Sequence, residues 1–226
     1  MAVLVVLGVL LLPYLIAPLY RFVTPVSTLM LWRWASGARV ERIATPLDRM
    51  APVLPLAVIV AEDARFCMHS GIDLQELHEA IEEADSLADM RGGSTIAQQT
   101  AKNLFLWSGR SYLRKMLEMP LALWLDFVLG KRRLIEVYLN VAEWGPDGEF
   151  GAEAGARRAF SKPALRLTLG EAALMAAMLP NPVQRDARRP GPGLRRLAGI
   201  YHARAVASPT QDACLRSVEM FGNRLK

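Results

Sequence analysis

The amino-acid sequence predicts a mainly α-helical protein, and three observations support that prediction. Apolar residues recur at the i, i+3, i+4, i+7 spacing of a helix, as in the segment 131–144. Residues that favour helix starts precede such segments, and Ser111 precedes one that extends to Leu129. Apolar and polar residues alternate in no convincing run, so a β-sheet domain is not expected.

The segment 1–20 is almost entirely apolar and carries no charged side chain from Ala2 to Tyr20. A helix of this length spans roughly 28 Å at ~1.5 Å per residue, close to the ~30 Å hydrocarbon core of a bilayer. The alternative is a cleaved signal peptide, whose apolar region is usually shorter and ends in small residues. Because Tyr20-Arg21-Phe22 follows instead, we predict a retained transmembrane anchor at 1–20.

Residues 21–50 are predicted to form an interfacial segment and linker, and residues 51–226 to form the folded domain. The interfacial part stays apolar, with Trp32 and Trp34 as aromatic anchors. Several arginines follow the anchor, namely Arg21, Arg33, Arg39 and Arg42. Taken alone, their positive charge indicates a cytoplasmic folded domain.

The first predicted helix of the folded domain carries a candidate catalytic carboxylate, Glu62. If the helix continues, Glu62, Phe66 and His69 lie on one side of it. A carboxylate beside an aromatic ring and apolar packing would have a raised pKa, which suits a general base. The alternative is a simple ion pair between Glu62 and Arg65.

The segment 91–103, R-G-G-S-T-I-A-Q-Q-T-A-K-N, combines paired glycines, hydroxyls, amides and a lysine. Thr95 and Gln98 have the spacing of a capping box, which predicts a helix start whose free N–H groups favour an anion. Gln98 and Lys102 would share one face of that helix. The spacing of a Walker loop is missing, and an ordinary capped amphipathic helix is the alternative.

A second candidate carboxylate, Glu118, follows a cluster of cations in the segment 110–118. Arg114 and Glu118 are four residues apart, so an intrahelical ion pair worth ~0.3–0.5 kcal/mol is the simplest explanation. The same cations would suit a diphosphate, because arginine binds phosphate through two hydrogen bonds. Pro120 is expected to kink the helix at this point.

The C-terminal part contains an alanine-rich helix at 169–179, then a Pro- and Gly-rich loop and one more helix. The net charge of the chain is +5, and arginines cluster here with only Asp186 opposing them: Arg185, Arg188, Arg189, Arg195, Arg196 and Arg204. The cluster could contact anionic lipid or be simply solvated. No nucleic-acid motif accompanies it, so nucleic-acid binding is not expected.

Cysteine and histidine give little information on this chain. Cys67 and Cys214 could pair in an oxidising compartment, but two cysteines define no framework, and free, partly buried thiols are expected. The histidines are scattered, so no metal site is predicted.

Four motifs occur in order: E-D-x-x-F-x-x-H-x-G at 62–71, G-G-S-T-I-x-Q-Q-x-x-K-N at 92–103, R-K-x-x-E at 114–118 and Y-L-N at 138–140. Together they resemble the peptidoglycan glycosyltransferases of family 51, and the run 100–111 is similar to their monofunctional biosynthetic branch. The match covers roughly residues 22–200. No S-x-x-K or K-T-G motif occurs, so penicillin binding is not expected.

The resemblance implies a lysozyme-like helical fold with a cleft beside a membrane-dipping lobe. It implies polymerisation of lipid II into β-1,4-linked glycan strands with release of undecaprenyl diphosphate. Glu62 matches the catalytic base, and Glu118 matches the glutamate that stabilises the leaving diphosphate, directly or through a divalent cation. The other residues that the resemblance assigns to substrate binding or to the shape of the cleft are Asp63, Phe66, His69, Gly71, Ser94, Thr95, Gln98, Gln99, Lys102, Arg110, Arg114 and Lys115.

The same resemblance implies no required cofactor, although Mg²⁺ or Mn²⁺ could stimulate the reaction. The implied partners are lipid II, the growing glycan, membrane lipids, and cell-division or penicillin-binding proteins. It indicates a single-pass inner-membrane protein with a periplasmic catalytic domain, and we give this more weight than the flanking charges. Three positions depart from the family pattern and put local geometry in question: Pro120, Asp126 and Ala159.

Two competing functions differ from glycan synthesis. A lysozyme-like cleaving enzyme, such as a lytic transglycosylase, could share the fold and one catalytic glutamate, but it has no diphosphate for the cations near Glu118 to bind. A non-enzymatic membrane scaffold would retain the motifs as relics, and its function would survive Glu62→Gln.

Overall fold

The computed structural model describes residues 1–82, 93–107, 109 and 111–216, and this part of the chain is mainly helical, as predicted. Its α-helices are α1 (Ala2–Ile16), α2 (Thr28–Ala35), α3 (Val53–Glu62), α4 (Leu74–Glu82), α5 (Ile96–Phe105), α6 (Tyr112–Val141), α7 (Ala152–Phe160), α8 (Leu169–Met178) and α9 (Pro192–Ala207). Short 3-10 turns occupy Ala17–Arg21, Leu47–Arg49 and Ala164–Arg166. Two short strands, β1 (Glu41–Arg42) and β2 (Glu149–Phe150), pair in parallel, with Glu41 opposite Glu149.

The N-terminal apolar segment is not one helix over 1–20, which corrects the prediction. Helix α1 ends at Ile16 and a 3-10 turn follows. Pro18 has no N–H to donate to the carbonyl of Tyr14, and that carbonyl instead accepts from Trp124 Nε1 of α6 at 3.0 Å. Among the helices in the described part of the chain, none is long and apolar enough to cross a membrane.

Helix α6 is the longest element, and it breaks at Gly130 rather than at Pro120. Ser111 caps its start by accepting from the N–H of Arg114 at 3.4 Å, as its position in the sequence predicted. The backbone remains helical through Pro120, because the φ that proline imposes is also that of a helix. Gly130 has φ 69° and ψ 163°, a conformation that glycine adopts at low cost. The break in α6 was therefore not predicted, and a smaller bend at Pro120 stays a prediction.

The core is one cluster of buried side chains from α3, α5, α6, α8 and α9, in which α5 packs on α6 and α3, α8 and α9 pack on one another. Leu134, Ile135 and Leu139 of α6 are fully buried. Small side chains on α8 allow α3 and α9 to approach it from two sides: Ala172, Ala173, Ala176 and Ala177. The C-terminal end of α3, where Glu62 is located, meets α5 through hydrogen bonds from Gln99 to Glu62 and from Ile96 to Asp63.

Cys67 and Cys214 form a disulfide, so the expectation of free thiols is wrong. The two residues are 147 positions apart, with 5.6 Å between their Cα atoms. No local spacing in a sequence signals a pair so distant, because only the fold brings the two segments together. The bond ties the turn after α3 to the segment after α9. In the chain-entropy account, a loop of this length stabilises the fold by about 5 kcal/mol.

Candidate active site

Glu62 is the last residue of α3, and the helix ends there. Asp63 has φ −163° and ψ 70°, so the chain leaves helical geometry immediately after Glu62. The predicted shared helix face of Glu62, Phe66 and His69 therefore does not exist. Phe66 is fully buried instead, with His69 edge-on to its ring and Lys131 Nζ 4.6 Å from its ring centroid.

The surroundings of Glu62 raise its pKa, and burial is the main cause. Gln99 of α5 donates from Nε2 to Glu62 Oε2 at 2.8 Å, and the positive charges of Lys102 and Arg185 oppose the upward shift. The alternative of an ion pair with Arg65 is wrong, because Arg65 Nε lies 3.2 Å from Asp73. Glu62 thus has a raised pKa, as expected, but through burial rather than through contact with Phe66.

Asp63 is buried and joins the turn after α3 to the start of α5. Its Oδ1 lies 2.8 Å from His69 Nε2, and its Oδ2 accepts from the N–H of Ile96 at 2.9 Å. A carboxylate at a helix N-terminus is favoured by the helix dipole and by the free N–H groups. Asp63 and His69 therefore hold the position of α5 relative to Glu62. Direct binding of substrate by these two residues stays a prediction.

The predicted capping box at the start of α5 is confirmed. The N–H of Thr95 donates to Gln98 Oε1 at 2.9 Å, and the N–H of Gln98 donates to Thr95 Oγ1 at 3.2 Å. Thr95 Oγ1 also donates to the carbonyl of Gly71 at 2.6 Å. Gln98 is only 2% exposed, so these two predicted cleft residues serve the helix start, and Gln99 is the amide next to Glu62.

Gly71 has a steric reason to be glycine. Its φ is +77°, and a Cβ at this position would lie 2.7 Å from the carbonyl oxygen of Ala122 in α6. Its expected role in shaping the motif is consistent with that close approach, because it brings the turn after α3 against α6.

The second glutamate, Glu118, lies in a cluster of cations at the start of α6. Glu118 forms an ion pair with Arg114 through Oε1, and its Oε2 lies 3.5 Å from Lys115 Nζ. Lys115 Nζ also donates to Ser94 Oγ at 2.7 Å, which brings that predicted residue into the cluster. The Glu118 side chain is 4% exposed, so the predicted i, i+4 pair is an interior one rather than a surface one. Arg110 lies outside the described residues.

Lys102 is near enough to both carboxylates to interact with them electrostatically. Burial lowers the pKa of Lys102, and the negative charges of Glu118 and Glu62 oppose that effect. Arg114 and Lys115 are near enough to repel it and reinforce the lowering. One cation thus interacts with both candidate catalytic glutamates, and a site for negative charge lies next to the carboxylate with the raised pKa.

A cavity of about 250 Å³ lies beside these residues. Its wall includes Gln99, Lys102, Arg114, Tyr138 and Glu143, together with the segment after α8. A second cavity of about 470 Å³ adjoins it and is mainly apolar; its lining is Thr28, Leu29, Trp32, Phe105, Leu106 and Trp107. A polar cleft with cations in its wall therefore opens toward an apolar groove.

Comparison with known proteins places the chain in a family. A family model described as "Transglycosylase" matches residues 30–202. The chain belongs to the transglycosylase family. It is 60% identical to the biosynthetic peptidoglycan transglycosylase of Nitrobacter hamburgensis over 91% of each chain. The protein of the same name from Rhodopseudomonas palustris is 57% identical over 91% of this chain and 87% of its own length. The one from Agrobacterium fabrum is 48% identical over 94% and 95%.

The resemblance drawn from the four motifs is therefore confirmed, and this transglycosylase has two site residues that sequence reasoning missed. Arg185 donates from Nη1 to the carbonyl of Ala177 at 2.8 Å, which holds its charge close enough to lower the pKa of Glu62. Tyr201 of α9 is near enough to Glu62 for that carboxylate to raise its pKa, after the larger effect of burial. In the sequence Arg185 was only one member of a basic cluster, and nothing distinguished Tyr201.

Proposed function

We propose that this chain polymerises lipid II into β-1,4-linked glycan strands with release of undecaprenyl diphosphate, in bacterial cell-wall synthesis. The observation that carries the proposal is the arrangement of Glu62, Lys102 and Glu118: a carboxylate of raised pKa, then cations around a second carboxylate. Membership of the transglycosylase family and relatives named biosynthetic peptidoglycan transglycosylase support the reaction class. The lysozyme-like arrangement of the helices stays a prediction.

In the proposed reaction, Glu62 accepts the proton of the acceptor sugar's 4-hydroxyl. The oxygen attacks the anomeric carbon of the donor, and the bond from that carbon to the diphosphate breaks with its electron pair leaving on the diphosphate. Attack from the face opposite the leaving group inverts the anomeric configuration. The raised pKa of Glu62 brings its basicity closer to neutral pH, where a general base is most effective.

The cations near Glu118 are proposed to stabilise the departing diphosphate. Arg114 can offer a planar pair of N–H donors to phosphate oxygens, and Lys102 and Lys115 add positive charge. Glu118 contacts Arg114 and Lys115, and so it holds both side chains in place before substrate arrives. Arg110 is included among these cations on the evidence of the sequence alone.

A divalent cation does not fit the surroundings of Glu118. Both of its carboxylate oxygens already face protein cations, Arg114 and Lys115, which would repel a metal ion. Across the described ranges, no group of three or more His, Cys, Asp or Glu side chains is arranged to hold a metal ion. The proposed mechanism therefore contains no metal-dependent step.

We propose that the enzyme works at the outer surface of the inner membrane, with its N-terminal segment as the membrane attachment. Large apolar side chains are exposed there, including Leu11, Leu15, Leu19, Phe22, Leu31 and Trp32. Exposed apolar patches of this kind are typical of contact with a membrane or a partner. The disulfide supports the periplasmic side, because such bonds persist in oxidising compartments.

The test is polymerisation of labelled lipid II by the detergent-solubilised chain, with Glu62→Gln and Glu118→Gln beside it. Glu79→Gln is a matched control, because Glu79 is exposed on α4 and bonds to Gln75 of the same helix. The proposal expects polymer from the wild type and the control, and a severe loss in the other two. Cleavage of finished glycan strands without synthesis would instead support the lysozyme-like alternative. A wild type without either activity would support the scaffold.

A further inference from the structure

Three helices contribute one residue each to a chain of hydrogen bonds that ends on Glu62. Tyr138 of α6 donates from its hydroxyl to Gln99 Oε1 at 3.0 Å. Gln99 of α5 donates from Nε2 to Oε2 of Glu62, the last residue of α3, at 2.8 Å. Tyr138 is 1% exposed, so its hydroxyl has little access to water. Water therefore competes little at the Tyr138 hydroxyl, whereas Gln99 and Glu62 are half-buried.

The donors and acceptors available on Tyr138, Gln99 and Glu62 fix the direction of the two hydrogen bonds. An ionised carboxylate only accepts hydrogen bonds, so Gln99 must turn its NH₂ group toward Glu62 and its oxygen away. The oxygen then needs a donor, and a protonated tyrosine is one. Burial raises the pKa of Tyr138 well above its usual value, and the charges of Glu62 and Asp63 add to the effect. Tyr138 therefore stays a donor throughout the pH range in which Glu62 titrates.

Other groups act on Glu62 through charge or burial. Lys102 of α5 and Arg185 of the segment after α8 favour its ionised form, and the neighbouring Asp63 disfavours it. Tyr201 of α9 also lies close enough to interact. None of these electrostatic effects fixes the orientation of the carboxylate. A directed hydrogen bond does, because it weakens steeply with angle.

We propose that Tyr138 is a positioning residue for the transfer reaction, which acts through Gln99 to hold Glu62 Oε2 and to leave Oε1 for the acceptor hydroxyl. The inference rests on the proposed role of Glu62 as the base. Tyr138 touches no reacting atom in this arrangement. Its hydroxyl prevents the Gln99 amide from turning over, and a turned amide would direct an oxygen at the carboxylate.

The arrangement has a consequence for pH dependence with a definite sign. The hydrogen bond from Gln99 favours the ionised form and so lowers the pKa of Glu62 against the effect of burial. Weakening this bond raises that pKa, so less of the base is ionised at a given pH. The acidic limb of the pH–rate profile then moves to higher pH.

The first experiment compares kcat and KM for lipid II polymerisation between pH 4 and 9 in the wild type, Tyr138→Phe, Gln99→Leu and the double variant. We expect the acidic limb to move up by about 0.5 pH unit in Tyr138→Phe and about 1 unit in Gln99→Leu. We expect kcat to fall about 3- to 10-fold, with KM changed less than about 2-fold. In the double variant, Tyr138→Phe should change neither the acidic limb nor kcat beyond the effect of Gln99→Leu, because Tyr138 acts through Gln99.

Thr100→Val is the matched control for loss of a buried hydroxyl. Thr100 is fully buried next to Gln99 in sequence, but its Oγ1 donates to the carbonyl of Ile96 at 2.7 Å within α5. Loss of this hydroxyl should leave the acidic limb where the wild type has it. An equal shift in Thr100→Val would mean that the loss of any polar group in α5 moves the acidic limb of the pH–rate profile, and this would overturn the proposal.

A second experiment reads the same quantity without polymerisation. Titration of ¹³C-labelled glutamate carboxyls by NMR gives the pKa of Glu62, whose signal is assigned by its loss in Glu62→Gln. The proposal expects this pKa to rise from wild type to Tyr138→Phe and again to Gln99→Leu. An unchanged titration in Tyr138→Phe, in a folded protein by circular dichroism, contradicts the proposal even if polymer is made. If the Glu62 pKa rises in the expected order but the protein makes no polymer, the result supports the role of Tyr138 and Gln99 and counts against the proposed function.

Discussion

The half-buried Glu62 and the buried Glu118 of this transglycosylase differ in the partners that surround them. Glu62 receives a hydrogen bond from the neutral amide of Gln99, and its pKa is raised. Glu118 instead contacts two cations directly, Arg114 and Lys115. Burial with a neutral donor yields a group ready to take up a proton. A carboxylate in contact with two cations holds those cations in place, and so the two residues suit different roles.

The largest expected effect comes from Glu62→Gln. A glutamine fills the same space but cannot accept a proton, so we expect the polymerisation rate to fall about 10³-fold. The rate of lipid II consumption at saturating substrate measures this. A variant that retained a tenth of the wild-type rate would mean that another group acts as the base.

Glu118→Gln should affect both rate and stability, unlike Glu62→Gln. Its loss leaves Arg114 and Lys115 without their carboxylate, and we expect the free energy of unfolding to fall by about 2 kcal/mol. Disordered cations would stabilise the leaving diphosphate less well, so we expect a rate loss of about 10²-fold. Urea unfolding and the polymerisation assay measure the two quantities. A loss of rate with full stability would show that Glu118 does not hold the cations in place.

The disulfide lies close in sequence to Glu62, and we expect it to contribute to the free energy of unfolding. It joins Cys67, five residues after Glu62, to Cys214, and these are the two cysteines of the chain. We expect Cys67→Ser with Cys214→Ser to lower the free energy of unfolding by up to about 5 kcal/mol. Urea unfolding with and without reductant measures it, and the double variant should not respond to the reductant. Equal stability of the oxidised and reduced wild type would contradict this prediction.

Local features of the fold were predictable from the sequence, and long-range ones were not. The capping box of Thr95 and Gln98 and the helix start at Ser111 depend on residues three apart, so spacing is enough to find them. The end of α3 at Glu62 was missed because the residues after it have no helix-breaking signal. The break in α6 at Gly130 was missed as well, because a single glycine inside a helical pattern does not by itself predict a break.

The same distinction holds for the site. Motif spacing identified Glu62, Lys102 and Glu118, because the resemblance to family 51 rests on those residues. The resemblance placed both Gln98 and Gln99 in the cleft, although the predicted capping box already assigned Gln98 to the helix start. Adjacent residues on a helix point about 100° apart, and Gln99 is the one that reaches Glu62. Arg185 and Cys214 reach the Glu62 region through tertiary packing, and a single sequence contains no sign of that.

A smaller expected effect is the pH dependence of the contribution that Glu62 makes to the free energy of unfolding. The pKa of Glu62 is raised in the folded state, so the protonated form is favoured on folding. Its stabilising contribution is present at acidic pH and is lost as the pH rises through the folded-state pKa. We therefore expect Glu62→Gln to be more stable than wild type at pH 7, and the difference to vanish near pH 4. Urea unfolding at the two pH values measures this. A destabilised Glu62→Gln at pH 7 would contradict it.

The smallest expected effect is that of divalent-cation removal. Arg114 and Lys115 face both oxygens of Glu118, and Lys102 interacts with both glutamates, so the positive charge at the proposed diphosphate site belongs to the protein. We expect a chelator to change the polymerisation rate by less than about 2-fold, because charge-assisted hydrogen bonds replace the metal. Arg114→Gln is the informative comparison. If its rate recovers on adding Mg²⁺ while the wild type does not respond, the arginine occupies the place that a metal ion would otherwise need. A wild type that loses most of its rate in chelator would instead mean that the protein cations are insufficient, and Glu118 would then have to exchange its arginine for a metal during the reaction.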